Sequence, residues 1–152
     1  MRRARPVHGL RCSRSSTPRF LAHVEIFVRG RVVLMPAGIG VAPPQVRRGA
    51  FVVGGRCDYP VRTREPTGLL EIARGMRLTL GDLFAVWGQP LSGRRVLSFA
   101  GAVAAFDGRR RVAGDPRRTE LRPHSVITLE LGRHVRPHFP YLFPRRLPTA
   151  RP

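Results

Sequence analysis

The stretch TLGDLFAVWGQP, Thr79 to Pro90, decides the fold. Leu80, Leu83, Phe84 and Trp87 recur at i, i+3, i+4 and i+7, which lays a single apolar stripe along a short α-helix. Thr79 caps it, and Asp82 completes a Thr-x-x-acid capping pattern while opposing the positive end of the helix dipole. Gly88 and then Pro90 stop it. This is the one clear helix in the sequence, and a short helix with one apolar face needs a sheet to pack against.

Strand patterns lie on both sides of it. In HVEIFVRGRVVLM, His23 to Met35, Val24, Ile26 and Val28 alternate with Glu25, Phe27 and Arg29, the period-2 signature of a strand with two unlike faces. Gly30 supplies the positive φ of a tight turn, and the β-branched run to Met35 returns as the second arm of a hairpin. Phe51 to Val53 and Leu69 to Ile72 read as short strands. Ala102 to Phe106 turns at Asp107-Gly108 into Arg109 to Ala113, and Val126 to Leu131 closes the domain with Ile127, Leu129 and Leu131 on one face. Between these runs, Pro36 to Pro44 and Arg56 to Gly68 are loops punctuated by Gly and Pro. Hairpin, helix and further strands in that order predict an α+β domain, a β-grasp-like (ubiquitin-like) mixed sheet with the helix laid across it and long loops. The domain is expected over 21–132. A disordered basic arm is expected over 1–20, and a proline and aromatic tail over 133–152 that packs back on the domain or stays extended.

At 152 residues the chain can bury one core, and no apolar run approaches the roughly 20 residues of a spanning helix. Its formal charge is +19, and all 28 cations are arginine. The absence of Lys and Asn beside abundant Gly, Pro, Ala and Val matches a GC-rich coding preference, which accounts for the choice of Arg without any polyanionic partner. Residues 1–22 hold six arginines and residues 131–152 hold five, with no acid in either flank, so the stretch between them is only moderately basic. No helix-turn-helix, zinc-finger, RNA-recognition, P-loop or dinucleotide pattern accompanies the charge. Nonspecific electrostatic contact with nucleic acid is the rival reading that it leaves open. Arg2-Arg3 is not followed by the apolar stretch of an export signal, so the chain as written reads as cytoplasmic, and as exported or envelope-associated if the true start lies upstream.

Five segments, HVEIFVRGRVVLMPAGIGV (23–41), CDYPVRTREPTGLLEI (57–72), LTLGDLFAVWGQPL (78–91), AGDPRRTELRPHSVITLEL (113–131) and PHFPYLFP (137–144), together resemble a family of small uncharacterised prokaryotic domains, often exported. The resemblance covers about residues 21–146. It implies a His-x-His at the first strand and a His-Thr-His-Asp in the loop before a later strand, imidazoles suited to a borderline metal. Here the corresponding segments are Leu21-Ala22-His23 and Arg62-Thr63-Arg64-Glu65, so His23 alone remains and two arginines replace ligands. No metal and no cofactor is expected.

The altered loop, with Arg56, Arg62, Arg64 and Glu65 around Cys57, can instead receive a small anion or carboxylate through charge-assisted contacts. In the simpler alternative, Arg62 or Arg64 pairs with Glu65 or Glu71 and pins the loop. Cys57 could pair with His23 or His124 as thiolate and imidazole, but the plainer expectation is a free structural thiol, with a Cys12–Cys57 disulfide reserved for an oxidising compartment. His134 and His138 are four apart, a spacing that loses its helical meaning beside Pro137 and Pro140. The sequence therefore points to a non-enzymatic interaction module. Its candidate site is His23, Arg56, Cys57, Arg62, Arg64 and Glu65, and its partner is a protein or a small anionic ligand.

Overall fold

A computed structural model describes residues 4–15, 17–135 and 141–145. The fold is mixed α+β, mostly sheet with one short helix. In chain order the elements are β1 (Arg19–Val28), β2 (Arg31–Val33), β3 (Val46–Arg48), β4 (Phe51–Gly54), β5 (Val61–Arg62), β6 (Leu69–Ala73) and β7 (Leu78–Thr79). Then come α1 (Leu80–Trp87), β8 (Leu91–Ser92), β9 (Arg95–Val96), β10 (Phe99–Ala100), β11 (Val103–Asp107) and β12 (Arg110–Arg111). A 3-10 turn at Pro116–Arg118 precedes β13 (Glu120–Leu121) and β14 (Val126–Leu131).

The main sheet runs β12-β11-β14-β1-β6-β5, with β2 also paired to β1. β1 is its axis. On one side it runs parallel to β14, from His23 opposite Val126 to Val28 opposite Leu131. On the other side its first half pairs antiparallel with β6 and its second half with β2. Arg29 and Gly30 both take positive φ, 50° and 80°, as a two-residue turn matched to strand twist requires.

The helix forms where its residues dictate. The Thr79 side chain accepts from the Asp82 amide, the Asp82 carboxylate accepts from the Thr79 amide at 2.9 Å, and Gly88 ends the helix at φ 77°. Leu80, Leu83 and Phe84 are buried against Val24, Ile26, Leu70, Ile72, Ile127 and Leu129 in the main core. That apolar set is one face of the sheet. Pleating sends the alternate residues to the other face, so Leu21, His23 and Glu25 share a side with their register partners Glu71, Leu69 and Thr128, and with Arg62 opposite Glu71. This second face carries the polar groups.

Two expectations are corrected. The segment expected as a loose arm over 1–20 is held on the domain through its described residues: Leu10 is buried, Ser13 and Asp58 exchange backbone hydrogen bonds of 2.8 and 2.9 Å, and β1 begins at Arg19 rather than His23. The cause is the second correction. Cys12 and Cys57 are not free thiols but a disulfide with Cα atoms 5.5 Å apart, which removes any thiolate–imidazole pairing of Cys57 with His23 or His124.

Candidate functional site

The six residues singled out in the sequence fall into three environments. The first is centred on Glu71, in the middle of β6 and only 2% exposed. Arg62, its cross-strand neighbour on β5, donates to Glu71 Oε1 from Nε at 3.2 Å and Nη2 at 2.9 Å, and from Nη1 to Asp58 Oδ2 at 2.6 Å. Arg64 Nε lies 3.2 Å from the same Glu71 oxygen. Arg19, from β1, donates to the Glu71 carbonyl at 3.1 Å and the Tyr59 carbonyl at 2.8 Å. Burial, with the Arg62 guanidinium nearby, lowers the Arg19 pKa to about 10. A charged carboxylate inside a fold requires such partners. Arg62 and Arg64 therefore fasten the 56–68 loop to the sheet through Glu71, whereas Glu65 accepts from Thr67 Oγ1 at 2.9 Å.

The second environment is His23. It is 2% exposed, its Nε2 donates to the Thr67 carbonyl at 2.8 Å, and Nδ1 has no partner among the described residues. Tyr141 stacks on its ring with centroids 3.9 Å apart and planes 13° from parallel. Burial lowers the His23 pKa, against the opposing pull of the Thr67 carbonyl, Glu25 and Glu65. Burial also raises the Tyr141 phenol. The neighbouring stretch of tail repeats the pattern, with Phe143 against His124 at 4.7 Å. His134 meets Phe106 at 5.2 Å and bonds Glu130 at 2.8 Å. Thus Tyr141 and His134 meet side chains of the polar face, while Leu142 stands in water at 88% exposure; His138, Pro137, Phe139 and Pro140 lie outside the described residues. Among the described residues no three His, Cys, Asp or Glu side chains gather as a metal would need.

The third environment holds Arg56 and the disulfide. Arg56 lines an open cleft of about 490 Å³ together with Arg47, Tyr59, Trp87 and the Ala37–Ala42 turn. That size suits a small-molecule site. The turn is rigidly placed: the Gly38 and Ile39 amides bond the Thr63 carbonyl and hydroxyl at 2.8 and 3.1 Å. Gly40, at φ 75°, lies so close to the Val61 carbonyl that a Cβ would collide with it. Cys57 sits beside the cleft but its sulfur is bonded to Cys12. Through that bond the N-terminal segment reaches the cleft rim, where the Tyr59 hydroxyl donates to the Arg5 carbonyl at 2.6 Å.

So the structure brings Arg62 and Arg64 together on Glu71, places His23 under Tyr141, and puts Arg56 on a different surface. Sequence reasoning missed the cleft and its residues Arg47, Tyr59 and Trp87. The one available signal was Trp87, read as part of the helix's apolar stripe yet only half-buried at the end of α1. No protein-family model matches the chain, and neither a curated protein nor a solved structure matches it. No helix of the described residues is long and apolar enough to cross a membrane.

Proposed function

We propose that this chain is a non-enzymatic binding module, exported or envelope-associated, that takes a small anionic ligand in the cleft between Arg47 and Arg56. The observation that carries the reading is the convergence of two guanidinium-bearing residues and two amphipathic rings, Tyr59 and Trp87, on one cleft. Guanidinium groups grip carboxylate or phosphate oxygens in a planar fork, and rings with an apolar body and a polar edge line the remainder. The Cys12–Cys57 disulfide supports a compartment outside the reducing cytoplasm. A β-grasp plan belongs to the same proposal, supported by the β1–β2 hairpin, the parallel β1–β14 pair at the sheet centre and α1 across one face. So does the kinship with small prokaryotic domains whose His pairs are here reduced to His23.

Trp87 is the chain's sole tryptophan, so its fluorescence reports the cleft directly. Titration with inorganic phosphate and with glycerol 3-phosphate is expected to give a saturable change that R47Q/R56Q abolishes. An unchanged spectrum with both probes overturns the reading. The rival, a nucleic-acid-associated protein held by charge, would instead show binding to a labelled random duplex that survives physiological ionic strength and ignores R47Q/R56Q.

A further inference from the structure

Beside the cleft stands an unusual finger. Hairpin β3–β4 is a two-stranded sheet separate from the main one, and all six residues from Val46 to Phe51 are exposed. Its root is fixed: Val52 is fully buried and its amide donates to the Arg64 carbonyl at 2.8 Å. Two large apolar side chains stand in water along it, Phe51 at 39% exposure beside the turn and Val46 at 58% at the base, opposite Gly54. Arg47 belongs both to this finger and to the cleft wall. From Ile26 to Cys57 the chain has five arginines and no carboxylate.

We infer that the anionic ligand of the cleft is the phosphate headgroup of a membrane lipid, with the exposed side of hairpin β3–β4 lying against the interface beside it. This rests on the cleft reading and gives it a source. A soluble phosphate would be satisfied by arginine alone and leaves Val46 and Phe51 unexplained. A nucleic acid offers phosphates, and bases that stack on aromatic rings, but nothing that rewards an exposed aliphatic Val46. A lipid interface offers a partner for each feature: phosphates for Arg47 and Arg56, acyl carbon for Val46 and Phe51, and the headgroup boundary for the amphipathic rings of Tyr59 and Trp87. The absence of acids along 26–57 suits an anionic surface, where each added arginine strengthens binding about fivefold.

The test compares the full chain with vesicles of phosphatidylglycerol mixed with phosphatidylcholine, vesicles of phosphatidylcholine alone, and glycerol 3-phosphate in solution. Sedimentation is expected to recover the protein with the anionic vesicles and to leave it free with the neutral ones. V46S/F51S, at exposed positions outside the cleft, is expected to weaken vesicle partition about tenfold by losing apolar burial, with the Trp87 response to glycerol 3-phosphate unchanged. If glycerol 3-phosphate binds but anionic vesicles do not, the lipid inference fails and the cleft reading stands. If neither binds, both fail. If V46S/F51S partitions like the parent, the attachment is charge alone and the inference is overturned.

Discussion

Arg62 and Glu71 face one another across β5 and β6, with the Arg62 guanidinium donating from Nε and Nη2 to one oxygen of a carboxylate that solvent scarcely reaches. The pair joins a loop to the centre of the sheet. It also places three arginines, Arg19, Arg62 and Arg64, around two carboxylates, Asp58 and Glu71.

Glu71→Gln should therefore be far worse than an ordinary surface change. It strips the buried counter-charge from guanidinium groups already close to one another, and breaking one side of a buried pair costs about 3–5 kcal/mol. Denaturant unfolding of E71Q measures it. The double variant R62M/E71L removes both charges and is expected to recover much of the loss.

The disulfide closes a loop 45 residues long in sequence. Loop-closure entropy on that scale is worth about 4 kcal/mol, so C12S/C57S should unfold at markedly lower denaturant than the parent. Proteolysis should then cut preferentially among residues 4–15, which the bond ties to Cys57. If C12S/C57S matches the parent in both assays, the cross-link is not what holds that segment.

His23 makes stability pH-dependent in a definite direction. Its pKa in the fold is below the ordinary 6.5, so the unfolded chain binds the proton more readily. The stability tied to neutral His23 is present above pH about 6.5 and declines as pH falls below it. Melting temperature should drop on acidification more steeply in the parent than in H23Q, which keeps a donor for the Thr67 carbonyl. Y141A, which opens the stacked face of the ring, should reduce that difference. Equal slopes in parent and H23Q would contradict the burial argument.

Thr79→Ala removes the hydroxyl that accepts the Asp82 amide and loosens the capping box of α1. A loss of about 1 kcal/mol is expected by denaturant unfolding. Because Trp87 lies at the other end of the same helix, its fluorescence in the folded state should change little. A cost near zero would mean that packing of Leu80, Leu83 and Phe84 alone holds the first turn.

The helix with both its caps, the hairpin from His23 onward, and the strands at Leu69–Ile72 and Val126–Leu131 were all legible in the sequence. Each is written in neighbouring residues: a period of 3.6 or 2, a capping side chain, a glycine at positive φ. The short ladder β8–β9–β10 was not legible, since two-residue strands leave too few positions for a period to show. Loose character was read into residues 1–20 because nothing local orders them. What holds the described residues 4–15 is Cys57, far along the chain.

The same division runs through the candidate site. Sequence by itself determined that Arg56, Arg62, Arg64 and Glu65 lie in one polar segment between two strand patterns, that arginine is the sole strongly basic residue type, and that one helix must cover a sheet. Only the tertiary structure decided which of those charges are spent. It buries Glu71 on the polar face of the sheet, where Arg62 and Arg64 must neutralise it, and lays Tyr141 over His23. It also gathers Arg47, Arg56, Tyr59 and Trp87 from separate segments into one cleft. The physical reason is range: periodicity and capping act within a turn or a strand, whereas desolvation and charge pairing depend on segments tens of residues apart meeting in the fold.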